Sequence, residues 1–202
     1  MRSHALALGV GAAALLALGA CNKDAGNGNA PKAQTGEAAK AAGTKTIAAG
    51  LIPASRFMTA AKSAGLDQTL AGPGPYTVFV PDDAAFNGAP AGTFDVKPEN
   101  RAQVTGVLTN LILPGTVMAA DIDKAIDAGK GKAPLATMSG GTLTATKEGG
   151  NTVITDSAGH KATITGGDQQ FTNGVVHTVD GVLMPAKQAA ANAPAVGKKA
   201  GK

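Results

Sequence analysis

The sequence predicts an α+β domain, and three observations carry that prediction. Large apolar side chains are concentrated in residues 46–186, helical spacing of those side chains governs the first part of that stretch, and short β-branched runs divided by hairpin turns fill the second part. Of the 202 residues 44% are hydrophobic, yet 42 of them are alanine, and Leu, Ile, Val and Phe together supply 39. That share lies close to the rough 20% level below which chains fail to offset their ordering entropy. The shortage is local. Residues 22–45 contain no Leu, Ile, Val, Phe, Met or Tyr, and 187–202 contain only Val196, so 46–186 hold 32 of the 39 in 141 residues. One domain of ordinary size with two polar extensions follows, and a multidomain chain is excluded.

The chain opens with Met1-Arg2-Ser3-His4 and continues in an apolar stretch from Ala5 to Ala20. At about 16 residues this is short of the ~20 that span a bilayer, and behind a positive N-terminus it reads as a signal peptide over residues 1–20. Its end, Leu18-Gly19-Ala20-Cys21, resembles the bacterial lipobox. The resemblance implies cleavage between Ala20 and Cys21 and lipid attachment to the thiol. Cys21 is the only cysteine. An odd thiol in an exported protein is a hazard unless it is consumed, and thioether lipidation consumes it. Asn22, where Asp would favour retention at the inner membrane, points to delivery to the outer membrane. Residues 21–45 then read as the lipidated cysteine and a solvated tether of Ala, Gly, Asn and Lys, and 187–202 as a disordered basic tail.

Within 46–186 the elements follow in order. Pro53-Ala54-Ser55 precedes a face of Phe57, Met58, Ala61 and Ala64 that stops at Gly65, a helix with its C-terminal glycine. Tyr76-Thr77-Val78-Phe79-Val80 between Pro75 and Pro81 is a buried strand by length and flanks. Val104, Val107, Leu108 and Leu111 recur at helical spacing behind Pro98-Glu99, which sets a helix over about 98–111. Ala120 to Ala128 fits a shorter helix with Ile122 and Ile126 four apart, ended by Gly129. The β-branched runs 142–146, 152–155 and 162–165 are separated by Glu148-Gly149-Gly150-Asn151 and Asp156-Ser157-Ala158-Gly159, both hairpin signals. Asn173-Gly174 turns the chain into a strand over 175–179, and Val182-Leu183-Met184 forms a last short run before Pro185.

Two of these segments carry a family resemblance. Thr77-Val78-Phe79-Val80-Pro81-Asp82-Asp83-Ala84-Ala85-Phe86 resembles the first signature of the fasciclin domain, and Asn173-Gly174-Val175-Val176-His177-Thr178-Val179-Asp180-Gly181-Val182-Leu183-Met184-Pro185 resembles the second. Leu113-Pro114-Gly115 is similar to the family's Val-Pro-Gly stretch, and Leu66 to Tyr76 to its lead-in. The resemblance covers residues 46–186. It implies a single fasciclin-like domain, N-terminal helices packed on a wedge of short, mostly antiparallel strands. It also implies that Thr77, Phe79, Pro81, Asp83, Phe86, Pro114, Gly115, Asn173, Gly174, His177, Asp180 and Pro185 are signature residues with structural duties. Asp121-Ile122 is similar to the family's short Asp-Ile adhesion element, although Asp at a helix start also serves as a cap or dipole partner. The Tyr-His pair associated with integrin adhesion in animal members is absent: Asn110 and Leu111 stand there.

Residue chemistry argues for binding over catalysis. The domain has nine Lys/Arg against twelve Asp/Glu, a net of −3, so the basic balance of the chain belongs to its extensions. With one Tyr and no Trp, the domain lacks the basic and aromatic face that nucleic acid requires. No Gly-x-Ser-x-Gly elbow, His-Glu-x-x-His or phosphate-loop pattern occurs, and Asp121, Asp123 and Asp127 have the spacing of a helix, not of a calcium loop. Asp82 and Asp83 read as caps of a short helix that follows them, and His177 as a buried histidine tied to backbone. The sequence therefore predicts a non-enzymatic binding or adhesion module without cofactor or metal. The expected form is monomeric, held to the bacterial envelope through the lipid on Cys21, with a protein or glycan partner. A periplasmic structural or stress-related envelope protein is the competing class.

Overall fold

The computed structural model describes residues 43–95 and 97–185. The signal peptide, Ala20, Cys21, the tether up to residue 42 and the basic tail lie outside the described residues.

Three helices open the domain: α1 (Ile47–Gly50), α2 (Arg56–Ala64) and α3 (Asp67–Ala71). In α2 the Ser55 hydroxyl accepts from the Met58 N–H, and Gly65, at φ 76, accommodates the left-handed turn that ends the helix. Its apolar stripe buries Phe57, Met58, Ala60, Ala61 and Ala64. Strand β1 (Tyr76–Pro81) follows, and α4 (Arg101–Asn110) packs on α2 through the side that carries buried Val104, Val107 and Leu108. The helix expected over 98–111 begins instead with a tighter 3₁₀ turn at Pro98–Asn100. Then come β2 (Ile112–Pro114), α5 (Ala119–Ala128), β3 (Lys132–Ala136), β4 (Thr142–Glu148), β5 (Asn151–Thr155), β6 (Lys161–Phe171) and β7 (Gly174–Val179).

The seven strands form one sheet in the order β2-β1-β7-β6-β5-β4-β3. Every pairing is antiparallel except that of β1 with β7, the two signature strands, which run parallel with Thr77 opposite Val175 and Phe79 opposite His177. Both strands are buried on both faces, the pattern of a covered parallel pair. The sheet curls until the Met138 N–H, just past β3, donates to the Ile112 carbonyl of β2 at 2.8 Å. Pro114 and Pro134 sit in the two outer strands and remove donors that could recruit another chain.

Two sequence expectations change. Val182-Leu183-Met184 is buried but is not a strand: the Met184 N–H goes to the Asp156 carboxylate at 2.8 Å instead of to a ladder. Strand β2 lies between α4 and α5, where the sequence predicts no strand. The elements α1, α3, β2 and β3 are too short to show a periodicity, and β3 is built of Ala, Pro and Leu, poor strand formers held at an edge by β4.

Asn173 gathers the N-terminal helices onto the signature strands. Its carboxamide oxygen accepts from the Ile47 N–H at 2.8 Å, its NH₂ donates to the carbonyls of Leu70 and Gly72 at 2.8 Å each, and its own carbonyl accepts from the Tyr76 N–H at 3.0 Å. Gly174 beside it must be glycine, since a Cβ there would overlap the Tyr76 carbonyl oxygen. Gly174→Ala should therefore cost about 3 kcal/mol through forced separation of β1 and β7. Gly88→Ala, where a Cβ meets nothing within 4 Å, should be neutral or stabilise by about 0.5 kcal/mol. Urea unfolding of both variants checks the pair, and equal midpoints would contradict the packing described.

Candidate functional site

The buried polar side chains of β1 and β7 converge on one short segment, residues 115–119, which leads into α5. Thr77, fully buried, donates its hydroxyl hydrogen to the Gly115 carbonyl at 2.8 Å and accepts from the Val117 N–H at 2.8 Å. His177, also fully buried, reaches the same segment from the neighbouring strand: Nε2–H donates to the Val117 carbonyl at 2.8 Å. Its Nδ1 accepts from the Asp168 N–H at 3.3 Å. A carbonyl can only accept and a backbone N–H can only donate, so the tautomer with its proton on Nε2 satisfies both partners. The ring packs on Phe79 with centroids 5.7 Å apart.

Asp168 is placed by an irregularity in β6. The register with β7 shifts between Ile164 and Gly166 and again between Gly166 and Gln169, and Asp168 takes φ 58. This bulge points the Asp168 carboxylate at α5, where it accepts from the Ala119 N–H at 2.8 Å. Met118, at the N-cap position, contributes no side-chain cap, so the helix is capped from across the sheet. Gly166-Gly167-Asp168 within a strand-like run was the available sequence signal for such a bulge.

Helix α5 buries Ile122 and Ile126 and presents Ala120, Lys124, Ala125, Asp127 and Ala128 to solvent. Asp121 lies in the first turn, favourable to the helix dipole, and pairs with Lys124 at 3.7 Å; the capping role belongs to Asp168. Ile122 is fully buried, so any adhesive contact by Asp121-Ile122 falls on Asp121 and the exposed residues around it. The middle of the helix is pinned to the sheet by Asp123, which pairs with Lys147 at 2.7 Å and accepts from the Thr152 hydroxyl at 3.0 Å. The bonded Lys147 ammonium holds the Asp123 carboxyl below the usual carboxylate range, against the opposing cost of burial and with the Thr152 hydroxyl adding to the effect.

The remaining signature residues are tied to backbone or packed in the core. Asp82 accepts from the Ala85 N–H at 2.7 Å, as a cap of the turn that follows. Asp83 does not cap that turn. It accepts from the Arg56 N–H at 2.9 Å and so caps α2, because the β1 exit lies beside the start of that helix. Phe86 is buried under the Arg56 guanidinium and edge-on to Phe94, and Asp180 accepts from the Thr163 N–H at 2.6 Å. Pro81 is buried at the end of β1, Pro185 is half-buried, and Pro114 is exposed in β2. Asp156, unremarked as a site residue in the sequence, accepts from the N–H groups of Ala158, His160 and Met184 and lies 2.7 Å from His160 Nδ1. Asn110 and Leu111, at the positions where the resemblance would often place Tyr-His, are interior. The Asn110 carboxamide oxygen accepts from Thr137 and Ser139, while its Nδ2 has no partner.

Among the described residues, no group of three or more His, Cys, Asp or Glu side chains could hold a metal ion. Two shallow depressions of about 260 and 270 Å³ border the loop at 89–95, and the charged side chains lining them are exposed.

A family model described as the fasciclin domain matches residues 53–185, from the loop before α2 to the end of the second signature. The chain belongs to the fasciclin domain family. Protein sll1483 of Synechocystis is 33% identical over 141 residues, covering 69% of this chain and 71% of that protein. Immunogenic protein MPB70 of Mycobacterium bovis is 30% identical over 112 residues, 55% of this chain and 51% of its own. Among solved structures, a domain pair of the insect cell adhesion molecule fasciclin I shares the fold, with a TM-score of 0.60 at 18% identity. That match covers 71% of this chain, which spans about half (52%) of the solved one.

Two outcomes are expected of fasciclin-domain variants at this site. His177→Ala leaves a cavity and orphans both the Val117 carbonyl and the Asp168 N–H, costing about 2–4 kcal/mol, and Thr77→Val orphans two backbone groups for about 2 kcal/mol. Because both hold the same segment, the double variant should lose less than the sum in chemical unfolding; His177→Ala at the wild-type midpoint would contradict the assignment. For Asp123, a folded pKa lowered below the unfolded value of about 3.8 means a contribution present above that pH and lost as pH falls through the folded pKa. With the side chain 42% exposed, Asp123→Asn should cost no more than about 0.5 kcal/mol at neutral pH. The difference from wild type should shrink below about pH 4, and a gap that widened in acid would refute the pairing.

Proposed function

We propose that this protein is a bacterial envelope lipoprotein, held to the outer membrane by lipid on Cys21, whose fasciclin domain is a non-enzymatic binding and adhesion module for a protein or glycan partner. The observation that carries the reading is the join of Leu18-Gly19-Ala20-Cys21 and a linker without large apolar residues to a fasciclin domain. Support for binding over catalysis comes from how the polar signature residues are used: Thr77, Asp82, Asp83, Asn173, His177 and Asp180 all spend hydrogen-bonding capacity on backbone. Such groups rigidify a scaffold whose outer surface does the recognising, and the exposed side of α5 is the surface they brace most directly. The adhesive role of the insect relative is consistent with this use of the fold.

Acyl burial contributes about 0.8 kcal/mol per CH₂, so the two or three chains of a lipoprotein hold it on a membrane essentially permanently. Cys21→Ser should move the protein from the membrane fraction to the soluble periplasmic fraction. Retention of the variant in membranes after a high-salt wash would overturn the anchor. Density-gradient separation of the two membranes should place the wild-type chain with the outer one. Crosslinking in intact envelopes should then yield a protein or glycan adduct of the wild type, and its absence would sink the binding role.

A further inference from the structure

Residues 47–54, Ile-Ala-Ala-Gly-Leu-Ile-Pro-Ala, contain no polar side chain, yet Ala49, Gly50, Ile52, Pro53 and Ala54 are exposed and Ala48 and Leu51 partly so. Ile52 is 72% exposed, well above the 43% of Met138, the other exposed large apolar residue among those described. Single apolar residues on a surface are ordinary, but a run of this length without function is not. Part of the loop's backbone is paired locally. The N–H groups of Ala49 and Gly50 donate to the Thr46 carbonyl, that of Leu51 to Ile47, and Pro53 has none. The Ile52 carbonyl accepts twice from Ser55, through its N–H at 3.0 Å and its hydroxyl at 2.8 Å.

Its position names the occupant. The chain joins the domain at residues 43–45, where the Gly43 N–H donates to the Gln170 carbonyl and the Thr172 N–H to that of Lys45. From Lys45, two residues, one turn of α1 and two extended residues put Ile52 no more than roughly 20 Å away. Cys21 and Gly43 are 22 residues apart in the chain, and a flexible chain of that length would span roughly 25 Å, less than the roughly 35 Å diameter of a domain of this size. A lipid on Cys21 would therefore hold the junction within reach of the bilayer and raise the local concentration of any weak contact made there. Exposed Lys45 flanks the run, and a basic residue beside apolar ones suits the headgroup boundary, whereas Arg56 on the other side is engaged with the Asp83 carbonyl, Asn87 and the Phe86 ring.

We propose that residues 48–54 form a membrane-contact face, with Ile52 seated at the headgroup–acyl boundary of the bilayer that holds the lipid on Cys21. This rests on the lipid-anchored reading above. The face orients the domain, so that its junction end rests on the lipid and the opposite end of β6 stands away from it. That strand is 11 residues long, which separates its two ends by roughly 30 Å.

The experiment uses the full lipidated chain in vesicles of phosphatidylethanolamine with a minority of phosphatidylglycerol. With the Cys21 thiol consumed by lipid, Ile52→Cys offers one site for a bimane fluorophore, and Ser157→Cys, in the β5–β6 turn, offers a control at the far end of β6. Acyl chains carrying bromine should quench bimane at 52 and leave bimane at 157 unquenched. Vesicle flotation and the urea midpoint are recorded for each variant to establish anchoring and fold. If the chain floats but bimane at 52 is unquenched, or both positions are quenched alike, the contact face is wrong and the anchor stands. If the chain does not float with the vesicles, the anchor and the face fall together.

Discussion

Two strands running the same way side by side, β1 and β7, carry Thr77 and His177 into the buried interior, and the hydrogen-bonding demand of those two side chains organises much of the fold around them. A buried hydroxyl or imidazole left unpaired costs about as much as a typical domain can lose from one site. The groups that meet this demand are the Gly115 and Val117 backbone and the Asp168 N–H. The segment after β2 is therefore held against the sheet at a defined height. From that height α5 starts, capped by the same Asp168 that supplies the N–H to His177. The glycines on either side follow from the same closeness: Gly115 takes φ 96 at the turn onto the segment, and Gly174 lets β7 approach β1.

This arrangement separates scaffold from surface. Polar groups of the signature strands face inward to backbone, and what they hold outward is the exposed side of α5 with Ala120, Lys124, Ala125, Asp127 and Ala128. The helix is pinned at its start by Asp168 and in its middle by the Asp123–Lys147 pair, so it offers a rigid face, and rigidity lowers the entropic cost of binding. Its small side chains and mixed charges set no motif in the sequence.

Most of the fold was legible where local signals agree. Ser55 and Gly65 bracket α2, Glu148-Gly149-Gly150-Asn151 turns β4 into β5, and the run at Tyr76 is the buried strand its flanks suggest. Legibility fails where a partner distant in sequence decides. Asp83 looks like a cap for the turn beside it, yet the free N–H it meets belongs to Arg56, brought there by the packing of α2 on the end of β1. Val182-Leu183-Met184 has strand-like residues but is captured by the Asp156 carboxylate. The two-strand convergence on residues 115–119 needs the parallel register of β1 with β7 and a bulge in β6, and only the second has a local cue. Asn110 shows the opposite case: it is an interior polar residue with one unpartnered amide nitrogen, which nothing in its local sequence announces.

Native-state hydrogen exchange tests the central claim most directly, because it reads the clamped segment amide by amide without altering a side chain. If Thr77, His177 and Asp168 fasten residues 115–119 to the sheet, the N–H groups of Val117, Asp168 and Ala119 exchange only through global unfolding. They then show the same opening free energy as the Phe79 N–H in the centre of β1. Exchange of these three amides through a local opening well below the global stability, with Phe79 still protected, would show that the segment is an ordinary surface loop and would contradict the account.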